Sequence, residues 1–402
     1  MIKQGFRVEL APTSEQAVQM GRHAGLSRFV ENFCLDRIRA AFAQRVAEKT
    51  YGIPEHELTR PPWSAIDLEK LWREQHRRAA PWFADSGLSS RVPKEACRLR
   101  AAGLKNWYES KTGKRKGHRV GFPKIRKRKD GSRFRYDSDR ARPVGVRSVK
   151  LPGVRGPIVT RESLAWLTER LADERARVIG STVREKAGRW WVTFQLDVDR
   201  SDVNGRRTVA ADAPTCGIDL GLTTFAVIVD DTGVVEQVQA PRALKAAQRR
   251  LRRVNRALTR KQEGSNNREK AKRRVADIHL RVTHRRSDFL HQLTTKLART
   301  KRAIAVESLN VAGMVRNRRL ARAVSDAGFG EFIRQLEYKA SWYGSTVWAA
   351  DRWYPSSKLC SACGAINTGL TLSERMWVCP CGSVNDRDRN AAANLLAAMN
   401  AA

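Results

Sequence analysis

The spacing of apolar residues along the chain predicts a first half that starts as a strand and continues as helices. Alternating apolar and polar residues predict a strand over Ile2 to Leu10. Thr13 and Gln16 have the spacing of a capping box, so a helix should follow. That helix carries apolar residues from Leu26 to Val46, and two more are predicted over Ile66 to His76 and Pro93 to Tyr108. Four tryptophans of this helical module are expected to pack between helices: Trp63, Trp72, Trp82 and Trp107.

The next stretch changes to strand-forming patterns. Lys111 to Arg147 is rich in Lys, Arg, Gly and Pro, and its isolated aromatic residues indicate short strands and basic loops. Val178 to Val198 alternates on both sides of a Lys-Ala-Gly turn, which predicts a hairpin. We expect these strands and the first strand to close a small barrel that the helical module interrupts. Ser201 to Pro214 is polar and is expected to be a linker.

The second half of the chain has the order of strands and helices that is typical of a ribonuclease H-like α/β fold. Three meander strands are followed by basic crossover helices and then by strands that should run parallel to the first. The strands are predicted around Asp219 and over Thr224 to Val229, Val234 to Val238, Arg302 to Leu309 and Ser345 to Ala350. The helices are predicted over Ala243 to Lys261, Asn266 to Arg299 and Gly330 to Tyr343.

A carboxylate stands in the middle of the first apolar strand of this half. Asp219 lies within the run Gly217-Ile-Asp-Leu-Gly-Leu222, where an unpaired charge would be costly to bury. It could cap a turn at the end of its strand. Glycines on either side allow a ligand or a backbone to approach closely, which favours metal coordination. Glu307 ends a second buried-strand pattern in the same way.

A third acid precedes the last predicted helix. The Ala-rich sequence after Asp388 favours a helix, so Asp388 should lie near its N-terminus, with Asn390 and Asn394 one turn apart. An N-cap would account for Asp388 alone. The set of Asp219, Glu307 and Asp388 favours a metal centre, because three acids can hold two Mg²⁺ ions about 4 Å apart for phosphodiester hydrolysis.

The charge of the chain points to a polyanionic partner. Lys and Arg number 77 against 41 acids, a net charge of +36, and nucleic acid is the expected partner. Residues 111–150 hold 16 Lys and Arg against three acids, and residues 242–302 hold 21 against four. Such unbalanced runs favour phosphate contact over an ordinary solvated helix face. The candidate nucleic-acid contacts are Lys124, Arg126, Lys127, Arg128, Lys129, Arg249, Arg250, Arg252, Arg253, Arg273 and Arg274.

Four of the seven cysteines have metal-ligand spacing. Cys360 and Cys363 form one pair, Cys379 and Cys381 a second, and 15 residues separate the pairs. Four thiolates suit a closed, tetrahedral zinc site, although one intervening residue in the second pair is fewer than the usual two. Free thiols are the alternative. The other three cysteines are scattered among apolar residues, which indicates buried thiols in a reducing compartment.

Three sequence motifs resemble those of the TnpB family of transposon-encoded RNA-guided nucleases, relatives of type V CRISPR effectors. These are GIDLGLTTFAVI, AVESLNVAGM and CSACG…CPCGSVNDRDRNAAANLL. The segments HAGLSRFVENFCLDRI and GFPKIRKRK are similar to the family's first helix and basic segment. The resemblance therefore extends over most of the chain. It implies that Asp219, Glu307 and Asp388 hold the catalytic metals and that Asp386 and Asn390 are ancillary.

The resemblance also implies an architecture and partners. The expected fold is multidomain α+β, with a β-barrel wedge domain, a helical recognition domain, a RuvC-like (ribonuclease H-like) nuclease domain and an inserted zinc ribbon. A structured guide RNA and double-stranded target DNA are the implied partners, with Mg²⁺ and structural Zn²⁺ as cofactors and one monomer per guide. The implied bounds are 1–12 and 111–205 for the wedge, 13–110 for the recognition domain, 214–358 and 385–402 for the nuclease, and 359–384 for the ribbon.

Other functions remain open from the sequence. The chain could be an RNA-guided binder that represses without cutting, a DNA-joining transposase, or a plain basic nucleic-acid-binding protein. The choice between Asp388 and Asp386 as the third metal ligand is also open. The N-terminus lacks the apolar core of a signal peptide and no run is long enough to span a membrane, so a cytoplasmic, nucleoid-associated protein without a membrane partner is expected.

Overall fold

The computed structural model describes residues 2–137, 140–199, 209–371 and 373–402. The chain divides into two compact units, Met1–Asp199 and Arg200–Ala402. Most of the predicted linker, residues 201–208, lies outside the described residues. Within the described ranges, no helix combines the length and apolar character needed to cross a membrane.

Three of the four helices described below for the first unit form where the sequence predicts them, and the fourth, Ala165–Ala172, was not predicted. The longest begins after Thr13, whose hydroxyl accepts the Gln16 N–H at 3.2 Å while the Gln16 side chain accepts the Thr13 N–H at 3.1 Å, so the capping box is confirmed. A stripe at i, i+4 spacing, from Leu26 to Ile38, is fully buried. The helices are α1 (Ser14–Thr50), α2 (Ala65–Ala79), α3 (Arg91–Lys111) and α4 (Ala165–Ala172).

Tryptophans fill the spaces between these helices, as predicted for three of the four. Trp72 is buried against the Phe33 ring at 5.5 Å, and the rings of Trp63 and Trp107 lie 6.2 Å apart. The ring of Trp82 contacts Phe29 at 5.7 Å, but its side chain is 48% exposed. Aromatic packing therefore contributes to the core of the helical module, together with buried aliphatic side chains.

The strands of the first unit form one antiparallel sheet in the order β2-β6-β7-β1-β5-β4-β3. Its members are β1 (Ile2–Ala11), β2 (Arg133–Asp137), β3 (Arg142–Pro143), β4 (Ser148–Lys150), β5 (Ile158–Thr160), β6 (Ala176–Lys186) and β7 (Arg189–Val198). The β6–β7 hairpin is confirmed, and its turn residues Ala187 and Gly188 both have positive φ, as a tight primed turn requires. The first strand lies at the centre, between β7 and β5. Closure of this sheet into a barrel stays a prediction.

The second unit is built on a five-stranded sheet in the order β10-β9-β8-β11-β12. The strands are β8 (Cys216–Leu220), β9 (Thr224–Asp230), β10 (Val235–Gln239), β11 (Ala303–Glu307) and β12 (Thr346–Ala350). The first three form an antiparallel meander, and β11 runs parallel to both β8 and β12. This is the order of meander and parallel strands that the sequence predicts.

Helices connect and cover this sheet. They are α5 (Ala243–Thr259), α6 (Asn266–Thr300), α7 (Val311–Arg316), α8 (Ala321–Ala327), α9 (Phe329–Tyr343) and α10 (Arg387–Asn400). Phe225 of β9, Phe289 of α6 and Phe332 of α9 pack ring against ring at 5.0 to 5.4 Å, so the helices share one apolar core with the sheet. A short hairpin, β13 (Met376–Val378) and β14 (Val384–Asp386), precedes α10.

A buried ion pair closes the end of this sheet. Asp230 accepts hydrogen bonds from Lys301 Nζ at 2.6 Å, Thr232 Oγ1 at 2.7 Å and the Val234 N–H at 2.9 Å. Burial alone would raise the pKa of the Asp230 carboxyl, but these hydrogen bonds lower it to about 2. The ionised form is therefore favoured in the folded state.

We expect Asp230→Asn to lower the free energy of unfolding by about 2 kcal/mol at pH 7, because the folded pKa is depressed from 3.8 to about 2. The native state loses this stabilisation only as the pH falls from 3.8 through the folded pKa. Urea unfolding at pH 7 and pH 5 should show the same deficit. Glu263→Gln removes the same charge at an exposed position and is the control. A deficit that disappears at pH 5 would contradict the assignment.

Candidate active site

Asp219 and Glu307 lie side by side at the edge of the five-stranded sheet where the parallel strands β8 and β11 end. The parallel strands β8 and β11 pair Cys216 with Ile304 and Ile218 with Val306, and one further step of that register aligns the two acids. Parallel strands end at the same edge, so both carboxylates are carried to the same place. Each side chain is partly exposed and therefore open to a ligand.

The helix α10 brings Asp388 to this edge by packing directly on β8. A Cβ atom added to Gly217 would lie 2.0 Å from the Ala392 carbonyl oxygen and 2.7 Å from the Leu396 nitrogen. Only glycine permits this approach. Residues two apart in a strand point to the same face, so α10 covers the face that carries Asp219. Asp388 lies in the first turn of α10.

The electrostatics of Asp219 reflect its two acidic neighbours. Burial is the largest cause that raises the pKa of this carboxyl well above its usual value, and the charges of Glu307 and Asp388 raise it further. Arg387 and Arg375 offset part of the repulsion. A cation bound at this point would stabilise the ionised form of Asp219.

Two residues outside the predicted set hold the acids in place. Ser356 Oγ donates a hydrogen bond to Glu307 Oε1 at 2.6 Å. Arg375 Nη1 donates to Asp388 Oδ1 at 3.1 Å. Sequence reasoning missed both, since nothing in the spacing of Ser356 or Arg375 marks a partner 49 or 13 residues away. Their only local signal is proximity to the cysteine pairs.

The two ancillary candidates have structural contacts. Asp386 is the N-cap of α10, and its Oδ1 accepts the Arg389 N–H at 2.8 Å. Asn390 is buried, donates from Nδ2 to the Leu359 carbonyl at 2.6 Å and accepts the Ser361 N–H at 2.9 Å. Asp386 caps the helix, whereas the charge of Asp388 raises the pKa of Asp219. The choice of Asp388 as a metal ligand stays a prediction.

The four predicted cysteines converge on one point. All four Sγ atoms lie within 4.8 Å of one another. Cys360 Sγ lies 3.9 Å from Cys381 Sγ, and Cys363 Sγ lies 3.6 Å from Cys379 Sγ. Four thiolates around zinc at about 2.3 Å in a tetrahedron are separated by about 3.8 Å, so this cluster fits zinc. The short spacing of the second pair therefore does not prevent convergence.

Hydrogen bonds prepare this cluster for a metal and tie it to α10. Burial opposes ionisation of Cys360, but the Ala362 and Cys363 amides and neighbouring thiols lower its pKa to about 6. Asn394 donates from Nδ2 to the Leu359 carbonyl at 2.6 Å, the same oxygen that Asn390 contacts. The residue before Cys360 is thus fixed to the helix that carries Asp388.

The basic residues of the second unit line a cleft between α5 and α6. Its volume is about 560 Å³. Three predicted contacts, Arg250, Arg253 and Arg274, line this cleft together with Lys261 and Lys270. Arg249, Arg252 and Arg273 lie on the same two helices and are exposed. A cleft with five cationic side chains suits a phosphate backbone.

The basic residues 124–129 of the first unit differ in exposure: most are exposed, and Arg126 is part of the folded core. Lys124, Lys127, Arg128 and Lys129 are exposed. Arg126 pairs with the buried Glu31, and its side chain is only 10% exposed. Its amide also donates to Asn32 Oδ1 at 2.8 Å. Arg126 therefore anchors the segment to α1, and contact of these residues with nucleic acid stays a prediction.

These features define a class of protein: a multidomain α/β chain with clustered acids on a sheet edge, a four-cysteine ribbon and strongly basic helices. The chain belongs to the OrfB_IS605, or TnpB, family. The family model described as "Probable transposase" matches residues 194–318. The models "Cas12f1-like, TNB domain" and "Helix-turn-helix domain" match residues 329–395 and 1–46.

Relatives of similar length share a third of their residues with this chain. A Streptomyces pristinaespiralis protein named "Putative RNA-guided DNA endonuclease" is 34% identical over 400 residues, covering 99% of this chain and 89% of the relative. The Mycobacterium tuberculosis (strain CDC 1551 / Oshkosh) protein "Putative RNA-guided DNA endonuclease MT2953" is 35% identical over 98% of this chain and 85% of the relative. These matches extend over both units.

A solved structure has a similar fold. The protein in "Cryo-EM structure of the Cas12f1-sgRNA-target DNA complex" aligns with a TM-score of 0.51 at 13% identity, covering 98% of each chain. At this identity the similarity concerns the fold. It agrees with a multidomain fold that contains helices and sheets.

We expect Gly217→Ala to destabilise the second unit by about 3 kcal/mol or more, because the new methyl group would overlap the α10 backbone. Urea unfolding measures the change. Gly330→Ala is the matched control, since its added Cβ meets nothing within 4 Å and alanine favours a helix. A Gly217→Ala protein as stable as the unsubstituted chain would mean that α10 does not pack this closely on β8.

We expect the purified protein to contain about one zinc ion per chain and Cys363→Ser to lose most of it, because the tetrahedral site needs all four thiolates. Elemental analysis after gel filtration measures the content. Cys34→Ala, a buried thiol outside the cluster, should keep its zinc. Zinc-free protein that unfolds at the same temperature as the zinc-loaded protein would contradict a structural role for the cluster.

Proposed function

We propose that this chain is an RNA-guided DNA endonuclease whose cutting centre is formed by Asp219, Glu307 and Asp388. The observation that carries the proposal is the placement of Asp219 and Glu307 at the ends of adjacent parallel strands, with Asp388 near enough for its charge to raise the pKa of Asp219. Full-length relatives are named for RNA-guided DNA cleavage, which supports a guide RNA and target DNA as partners.

The donor set suits magnesium. Carboxylate oxygens are the protein ligands that Mg²⁺ prefers, and the three acids would hold two ions together with oxygens of the substrate. When bound, magnesium lowers the pKa of the attacking water and stabilises the charge that develops on the leaving oxygen. Histidine and thiol ligands, which would favour other metals, do not belong to the acidic set.

Residues of the chain itself would position the acids and the substrate. Ser356 fixes the carboxylate of Glu307, and Arg375 fixes that of Asp388 while remaining exposed at the surface. The cleft between α5 and α6 would hold a phosphate backbone through charge alone. Base pairing with a guide would then supply the sequence specificity that such contacts lack.

The domain assignment follows the same proposal. The seven-stranded sheet of the first unit would be the wedge domain, with α1 to α3 as the inserted recognition domain. The five-stranded sheet with α10 would be the RuvC-like nuclease domain, interrupted by the cysteine ribbon. A transposase is the second candidate, favoured by the description of the family model over residues 194–318.

The Asp219→Ala protein should lose cleavage activity but still bind both the guide RNA and the target DNA. RNA that copurifies with the protein is sequenced. DNA complementary to the variable end of that RNA is then incubated with the protein and Mg²⁺. We expect cleavage to fall about a thousandfold or more, because loss of a metal ligand removes several kcal/mol of transition-state stabilisation. RNA and target binding should stay unchanged.

Asp212→Ala removes an exposed carboxylate and is the control for the loss of charge. Undiminished cutting by Asp219→Ala would overturn the assigned roles. Guided binding without any cutting by the unsubstituted chain would favour a repressor, and strand transfer without RNA would favour a transposase.

A further inference from the structure

One tryptophan is placed differently from all the others. Of the eleven tryptophans, two are classed as exposed: Trp82, 48% exposed and in contact with other rings, and Trp353, 80% exposed. A large aromatic ring held in water loses the stabilisation that burial gives it. Trp353 lies in the loop between β12 and the cysteine ribbon.

The loop that carries Trp353 is held firmly at both ends. The Trp353 N–H donates to Asp351 Oδ1 at 2.8 Å, and the Tyr354 N–H donates to the Asp351 carbonyl at 3.1 Å. The Tyr354 hydroxyl donates to the Asn394 carbonyl of α10 at 3.1 Å. Two residues later, Ser356 holds Glu307. The ring of Trp353 is therefore presented to solvent by a fixed backbone.

Arg352, the residue before Trp353, contacts the tryptophan ring and lines cavities that Glu307 also lines. The Arg352 guanidinium lies over the Trp353 ring, 5.0 Å from its centroid. Arg352 also lines two cavities, of about 690 and 270 Å³, and Glu307 lines both of them. Among the ion pairs of the described residues, none involves Arg352, so its charge is available to a phosphate.

We propose that Trp353 and Arg352 form a stacking site for an unpaired base and its phosphate in the single-stranded DNA that the acidic centre cuts. The proposal rests on the proposed nuclease function and adds two positioning residues to it. An aromatic face stacks on any base, and an adjacent guanidinium contacts the backbone and extends the stacked surface. This combination holds a strand without reading its sequence.

Other occupants fit the surroundings of Trp353 less well. Single exposed apolar residues are common on protein surfaces and need no partner. Trp353 differs because its loop is fixed to Glu307 through Ser356 and to α10 through Tyr354. A protein partner would be expected to cover a continuous apolar patch, yet the residue before Trp353 is a charged arginine.

Photocross-linking tests the contact without requiring cleavage. The Asp219→Ala protein, with its copurified RNA, is mixed with a single-stranded deoxyoligonucleotide that contains 5-iododeoxyuridine, irradiated and digested for mass spectrometry. We expect the cross-linked peptide to contain Trp353, because this modified base couples to an aromatic ring stacked on it. Cross-links that avoid Trp353 at every labelled position would overturn the proposal.

Single-turnover cleavage of guided DNA tests the function of the contact. We expect Trp353→Ala to slow cleavage about 5- to 160-fold, the range for loss of one base–aromatic stack, and Trp353→Phe to restore most of the rate. A DNA with an abasic site at the stacked position should slow the unsubstituted chain by a similar factor. The same DNA should scarcely slow Trp353→Ala further, because both changes remove one contact.

Val234→Ala, which shortens an exposed apolar side chain of the second unit, should cut at the normal rate. The stacking site would be contradicted if Trp353→Ala and the unsubstituted chain cleaved at equal rates. It would also be contradicted if the rate reductions caused by the abasic site and by Trp353→Ala multiplied at every position of the abasic site. If the cross-link forms at Trp353 but no guided DNA is cut, the nuclease function fails and the stacking site stands. If guided DNA is cut, but no cross-link forms at Trp353 and Trp353→Ala has no effect, the nuclease function stands and the stacking site fails.

Discussion

The contact on which the second unit depends is that of a helix backbone against a strand backbone. Gly217 allows α10 to approach β8 so closely that a single added carbon would lie 2.0 Å from a carbonyl oxygen. This packing places the first turn of α10, which carries Asp388, near enough to Asp219 for the charge of Asp388 to raise the pKa of Asp219. Side-chain packing alone would hold the two elements farther apart.

The same helix also fixes the cysteine cluster. Asn390 and Asn394, one turn apart on α10, both donate to the carbonyl of Leu359, the residue before Cys360. The residue before the first cysteine and Asp388 are therefore attached to the same helix. Hydrogen bonds to a single carbonyl oxygen connect the cysteine cluster to α10.

The sequence predicted what depends on local pattern. The strands around Asp219 and Glu307, the capping box at Thr13 and the convergence of the cysteines all follow from spacing or chain order. Contacts between distant residues could not be predicted in this way. Arg126 has the same local context as its exposed neighbours, and only the folded chain places it on Glu31, 95 residues away. The role of Asp386 as an N-cap likewise depends on where α10 begins.

The positive and negative charges of the second unit are concentrated in different places. This separation matters because phosphate binding needs cations, whereas metal binding needs carboxylates that are not neutralised by cations. Acids at the sheet edge repel one another, and cations placed directly among them would neutralise the site that a metal requires. Most of the cations instead lie on other elements, such as α5 and α6, while Arg375 contacts Asp388 alone of the three acids. A phosphate backbone can then be held by exposed cations at a place separate from the carboxylates that would bind a metal. The strong excess of positive charge and a centre built from acids are therefore compatible parts of one molecule.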